Sequence, residues 1–326
     1  MRAETDRELI VLAGVPDTDD YYADVADEIR AFHVKYAAEI AKHDDVIVLS
    51  TQRDYQAYAD ALGEDHVVAM PQLDIWMRDF TLSNAAAPVM FRYTAAGQGS
   101  GKGGQSAADD VQDVFAQMIE AAGLQFAESD WLNDGGNLVD DYAGNIVVSR
   151  KFLADNRATE EQARKYLTGL AGINNVAFID ADEQGGLEHA DGVAAFAEPN
   201  VVVINSYPED QEYSDQLKAD LRAGLPGVVI HEITTPYDGS QIYDERFGSA
   251  CGLYTNMLVT PDRIYFPQFG TADDAVALQS MRQWTSKRII PVPSAGICAM
   301  GGGVRCMSWQ LRGINAQRFL KWASAQ

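Results

Sequence analysis

Short, wholly apolar runs alternate with longer segments of helical period along most of the chain. Residues 9–12 are a continuous apolar run, 45–49 are one of strand length opened by Asp45, and 23–40 between them repeats its apolar positions every three or four residues. The same period predicts helices over 107–122, 159–171, 209–223, 273–285 and 315–325. Thr159 and Gln162 have the spacing of a capping box at one of those starts.

A second pattern is a recurring hairpin, in which two apolar runs flank a turn-forming cluster. Residues 138–148 turn at Ala143-Gly144-Asn145, 193–204 at Glu198-Pro199-Asn200, and 254–266 at Thr260-Pro261-Asp262. Residues 81–91 make a fourth around 85–88. Asp79, Asp134 and His189 lie just before three of these hairpins at an even spacing of 55 residues, with further junctions near Gly252 and Cys306. A repeat of about 55 residues, each with helix, strand and hairpin, signals radial repetition in an α/β chain. Five loops distant in sequence would then converge on one centre. No linker-like stretch divides the 326 residues, so one domain, 1–326, is expected. The glycine-rich stretch 95–104 reads as a mobile loop, suited to a lid.

Composition narrows the partners. With 47% hydrophobic residues a large core is available. A net charge of −23 disfavours nucleic acid and anionic membrane surfaces, and suits a small cationic substrate; solubility alone accounts for much of it. No apolar stretch reaches membrane-spanning length, and the apolar run 9–15 follows acidic residues, unlike a secretory signal. Cys251, Cys298 and Cys306 are odd in number and form no Cys-x-x-Cys. They predict at least one free thiol, no disulfide framework, and a reducing, cytoplasmic setting.

Cys306 follows Gly301-Gly302-Gly303-Val304-Arg305. Glycines let backbone and substrate approach a thiol closely, and a neighbouring Arg305 would favour the thiolate. Alone, the same run describes a buried structural cysteine. His189-Ala190-Asp191 sets two polar groups on one side if extended. A histidine near a thiol can take or give its proton. Carboxylates near a nucleophilic cysteine raise its pKa, which makes sense if the substrate is itself a cation. Guanidinium is planar and charged, and matches carboxylates with paired N–H donors. Asp79 and Asp191 would hold it from two sides while Cys306 attacks the central carbon.

Other chemistries find little support. His33, His43, His66 and His231 form no ligand pair, so no metal is expected. No Gly-x-Ser-x-Gly opens a helix, and neither glycine run continues into Gly-Lys-Ser/Thr.

Trp76-Met77-Arg78-Asp79, Asp134-Gly135-Gly136-Asn137, His189-Ala190-Asp191 and Gly301 to Cys306 occur in an order that resembles the agmatine deiminase and bacterial (Porphyromonas-type) peptidyl-arginine deiminase family of the guanidino-group-modifying superfamily. Tyr254-Thr255-Asn256 and Phe266-Pro267-Gln268-Phe269-Gly270 extend the likeness, which runs from about residue 70 onward. The resemblance implies a five-bladed α/β propeller of ββαβ repeats around a central funnel, and no cofactor. It implies Cys306 as nucleophile, His189 as general acid and base, Asp79 and Asp191 as guanidinium clamps, and Trp76 lining the channel. Hydrolysis through a covalent amidino-thioether would give a ureido product and ammonia. An amidinotransferase, or a silent guanidino-binding protein, is the alternative on the same site.

Three departures concern substrate. Asp134 stands where agmatine deiminases usually have Glu, Phe80-Thr81 replaces Gly-Pro, and His-Ala-Asp-Gly replaces His-Val-Asp-Asn. These lean toward the peptidyl-arginine branch. A second cation, as in agmatine, would want Asp134 or Asp130; a carboxylate, as in arginine or a C-terminal arginyl peptide, would want an arginine such as Arg92. Whether the chain forms a homo-oligomer is left open.

Overall fold

The computed structural model describes residues 8–17, 20–71, 74–99, 101–182 and 187–326. Strand β1 (Leu9–Ala13) is buried along its whole length, so both of its faces are covered and every position is apolar. Helix α1 (Ala26–Ala41) leads to β2 (Asp45–Ser50), and α2 (Tyr55–Leu62) to β3 (Val67–Ala69); the three strands are parallel neighbours. The short helix α3 (Met77–Phe80) is followed by β4 (Val89–Arg92), α4 (Gly101–Ala121) and β5 (Ala127–Leu132), parallel to β4.

One plan then recurs: an antiparallel hairpin, a helical crossing, and a strand parallel to the hairpin's second. Strands β6 (Leu138–Asp140) and β7 (Asn145–Ser149) are followed by α5 (Lys151–Asn156), α6 (Glu160–Leu167) and β8 (Asn175–Ile179). Strands β9 (Ala194–Glu198) and β10 (Val201–Asn205) precede α7 (Gln211–Gly224) and β11 (Val229–Ile233). Strands β12 (Leu258–Val259) and β13 (Arg263–Gln268) precede α8 (Asp273–Trp284) and β14 (Arg288–Pro293). Last, β15 (Trp309–Leu311) pairs antiparallel with β1 before α9 (Gly313–Ala323). The first sheet therefore obeys the same plan, with its hairpin partner supplied from the far end of the chain. The second is reduced: the hairpin expected over 81–91 is a single bridge between Ser83 and Val89.

The result is a mixed α/β fold of five small sheets among the described residues. Alternate side chains of the first sheet face different cores, as a two-residue period requires. Ile10, Leu12 and Val48 pack with Leu258, Tyr265 and Ile290 of the β12–β14 sheet; Leu9, Val11 and Leu49 pack with Phe115 of α4 and Phe319 of α9.

The glycine-rich segment departs from expectation. Ala96–Gln98 is a helical turn and α4 already begins at Gly101, because Ala108, Phe115 and Ile119 of that helix are buried and packing overrides the poor propensity of glycine. Ser100 lies outside the described residues. The capping box is present, with the Gln162 N–H donating to Thr159 Oγ1 at 3.3 Å and the Thr159 N–H to Gln162 Oε1 at 2.8 Å. Its helix stops at Leu167, short of the predicted 171.

The cysteine expectation holds for a free thiol and fails for the absence of a disulfide. Cys251 and Cys298 form a disulfide across 47 residues of sequence, with Cα atoms 4.7 Å apart, and Cys306 is the free thiol. The partners meet only through tertiary folding, so their spacing carried no signal. The argument from cysteine usage to a reducing, cytoplasmic setting goes with it. No helix among the described residues is long and apolar enough to cross a membrane.

Candidate active site

Asp134 and His189 sit in matching backbone. Each is extended (φ −83°, ψ 143° and φ −79°, ψ 140°) and leads into a three-residue helical turn, Gly135–Asn137 or Ala190–Gly192. The stretch through Asp191 is thus turned, not extended. Asp79 is held in α3, and the Arg78 N–H donates to the Cys306 carbonyl at 2.9 Å, which ties that helix to the thiol's loop.

These loops converge. Cys306, Asp79, His189, Asp191 and Trp76 all line one cavity of about 580 Å³. Cys306 Sγ lies 3.9 Å from Asp191 Oδ2 and accepts from Asn256 Nδ2 at 3.1 Å. His189 Nε2 is 3.0 Å from Asp134 Oδ2, and Nδ1 is 3.7 Å from Asp79 Oδ1. Asp79 Oδ1 also accepts the Gly136 N–H at 3.0 Å. Here glycine is a spatial necessity: a Cβ on Gly136 would lie 2.4 Å from His189 Nδ1. Gly302 serves Trp76 in the same way, since a Cβ there would stand 2.3 Å from the indole ring. Its missing side chain makes room for the indole, not for the sulfur.

Charge follows from burial and neighbours. Burial, then Asp191 and Asp79, push the Cys306 thiol well above its ordinary range, with the Gly303 amide and Asn256 opposing. Burial disfavours the charge on His189, yet Asp79, Asp134 and Asp191 outweigh it and raise the imidazole to about 9. Burial raises Asp79 to about 7 against the pull of His189. Asp134 is buried too, but the hydrogen bond from His189 and its charge hold it below the usual carboxylate range. At neutral pH the site therefore rests as thiol and imidazolium.

Three substrate assignments made from the sequence fail. Asp134 does not face the cavity: it accepts from the Thr94 N–H and Oγ1, both at 2.9 Å, and orients His189 from behind. Arg92 lies at the surface, paired with Asp109 at 2.8 Å, away from the cavity. Asp130 is also outside it. Among the described residues, the carboxylates that line the wall besides Asp79 and Asp191 are Asp74 and Asp182. Arg305 points its guanidinium at Asp191, not at the sulfur. Asn256 was missed as a chemical group, though it follows the fourth junction of the repeat. An amide carries no chemical signature until its neighbour is known.

A family model of Porphyromonas-type peptidyl-arginine deiminases matches residues 1–311. The chain belongs to this family. A protein of Shewanella sp. (strain MR-7) named "Putative agmatine deiminase" is 25% identical over 233 residues, 62% of each chain, so the match spans less than two thirds of that relative. A namesake from Shewanella sp. (strain W3-18-1) is 24% identical over 303 residues, 81% of each. The solved agmatine deiminase of C. jejuni superposes with a TM-score of 0.75 at 17% identity, over 95% of this chain and 94% of that one. Members of the deiminase family thus share this mixed α/β fold.

Proposed function

We propose that the chain is a cysteine-dependent deiminase of guanidino groups, its five units forming one catalytic domain arranged as a five-bladed α/β propeller around the cavity. One observation carries the reading. A thiol whose ionisation is suppressed by burial and by the carboxylates of Asp191 and Asp79 shares its cavity with an imidazolium, and a bound guanidinium would offset those carboxylates and use the imidazolium's proton.

In that scheme Asp79 and Asp191 flank the guanidinium and offset its charge in a water-poor pocket. The nearby cation lets Cys306 release its proton to solvent, and the sulfur bonds to the guanidinium carbon. His189 gives its proton to one amino group as the C–N bond breaks, so ammonia leaves. The neutral imidazole then takes a proton from water; the hydroxide adds to the carbon, the C–S bond breaks toward sulfur, and the new hydroxyl's proton passes to the departing thiolate, which restores the Cys306 thiol and leaves a ureido product. Asn256 would steady the thiolate by its N–H donor.

For the substrate's far end, the cavity wall favours agmatine over arginine or a C-terminal arginyl peptide. Asp74 and Asp182 would attract a second cation. Arg246 lines the wall too, but Asp244 binds it through both oxygens, so it offers little to a carboxylate. The relatives named as agmatine deiminases support this choice against the branch suggested by the motifs.

The test is a screen for ureido product and ammonia with agmatine, free arginine, and internal and C-terminal arginyl peptides. Agmatine should turn over fastest, and Cys306→Ala should abolish product from every substrate. Failure of all four with folded wild-type protein would sink the reading.

A further inference from the structure

Arg305 adjoins the nucleophile in sequence and Asp191 in space. Its buried guanidinium donates from Nη1 to Asp191 Oδ2 at 2.6 Å and from Nη2 to the Leu138 carbonyl at 2.8 Å. Leu138 opens β6, so one side chain ties the Cys306 loop to both the Asp191 turn and the third sheet. Behind it lies a second buried arginine, Arg78, which donates to Gln310 at 2.8 Å. Burial, with Arg305 as a like-charged neighbour, lowers Arg78 to about 10. Two neighbouring cations in the interior are unfavourable unless anions hold them there, and Asp191 and Asp140 do so for Arg305.

A carboxylate is free to rotate about its last bond unless an oxygen is fixed. With Oδ2 held by Arg305 and 3.9 Å from Cys306 Sγ, the Asp191 carboxylate on the cavity wall is kept in one orientation. We propose that Arg305 is a positioning residue, which locks Asp191 so that the site selects amidinium and guanidinium groups over neutral electrophiles. This rests on the deiminase reading. It differs from stabilisation of the thiolate, the role suggested by adjacency alone, because both guanidinium ends are engaged elsewhere and the sulfur's donors are Asn256 and the Gly303 amide.

Alkylation separates these roles without turnover. Cys306 is the free thiol and the other two cysteines are bonded, so modification reports on the site directly. In each reaction sulfur displaces chloride from carbon, and the thiol proton goes to solvent. The rates of chloroacetamidine, a cation, and chloroacetamide, its neutral analogue, are compared by mass spectrometry of the Cys306 peptide. The wild type should prefer the amidine. In Arg305→Met that preference should fall about tenfold, the scale of one charge-assisted contact, while chloroacetamide changes little. Arg305→Lys keeps charge but loses the two-ended grip, and should fall less; it stands in if the Met variant does not fold. An unchanged preference in a folded variant, or equal slowing of both reagents, overturns the proposal. A wild type with no amidine preference overturns the deiminase reading instead.

Discussion

His189 shows how one side chain's charge is set by what surrounds it. Alone in an apolar interior it would be neutral, as burial makes His33, lowered to about 4. Three carboxylates reverse that and raise His189 to about 9. Asp134 touches it most closely, so Asp134→Asn should lower the imidazole's pKa and move the alkaline limb of kcat to lower pH. That limb belongs to the Cys306–His189 pair jointly, and a pH–rate profile reads it. Stability should follow with a definite sign. Between the ordinary value of 6.5 and about 9 the folded chain holds a proton that the unfolded chain has lost, so stability falls as pH rises through that window. In Asp134→Asn the fall should shrink, measured as Tm at pH 6 and pH 9; an equal fall would place the charge elsewhere. The even spacing of Asp79, Asp134 and His189 made their convergence legible in the sequence. It did not show which way each side chain points, and so Asp134 and Arg92 were given to the substrate.

At the scale of elements, hairpins and helices were legible wherever local pattern and packing agree. The capping box at Thr159 is the clearest case, since it needs only two residues three apart. Thr159→Ala should cost about 1 kcal/mol, seen as a lower urea midpoint, with kcat for the preferred substrate unchanged because α6 stands apart from the cavity. A change in kcat would mean that α6 is coupled to the site. Elements set by distant contacts were not legible. Glycines at the start of α4 suggest a loop until its buried face is seen, and the Cys251–Cys298 bridge exists only in the folded chain. That bridge matters locally: Phe247, Gly248, Ser249 and Ala250, just before Cys251, line the cavity, as do Met300 and Gly301 just after Cys298.

At the scale of the whole molecule, the net charge of −23 and the cavity's own carboxylates act in the same direction on a cation. Asp74, Asp79, Asp182 and Asp191 line the wall, whereas Arg246 is held by Asp244. A low-dielectric cleft with an excess of one sign of charge, here negative even with His189 and Arg246 on its wall, focuses the field and raises the on-rate. Such steering is screened once the Debye length drops from about 10 Å at 0.1 M salt to about 3 Å at 1 M. For agmatine, kcat/KM should therefore fall by about tenfold or more between low and 1 M salt, within the range that steering supplies, while kcat holds nearly steady. Free arginine has one charge of each sign beyond its guanidinium and should lose less. The comparison separates field from contact: the proposed clamps at Asp79 and Asp191 would meet both compounds alike, and only the long-range field and the outer wall would distinguish them. Equal salt slopes for the two would mean that the acidic surface serves solubility and that recognition begins at the clamps.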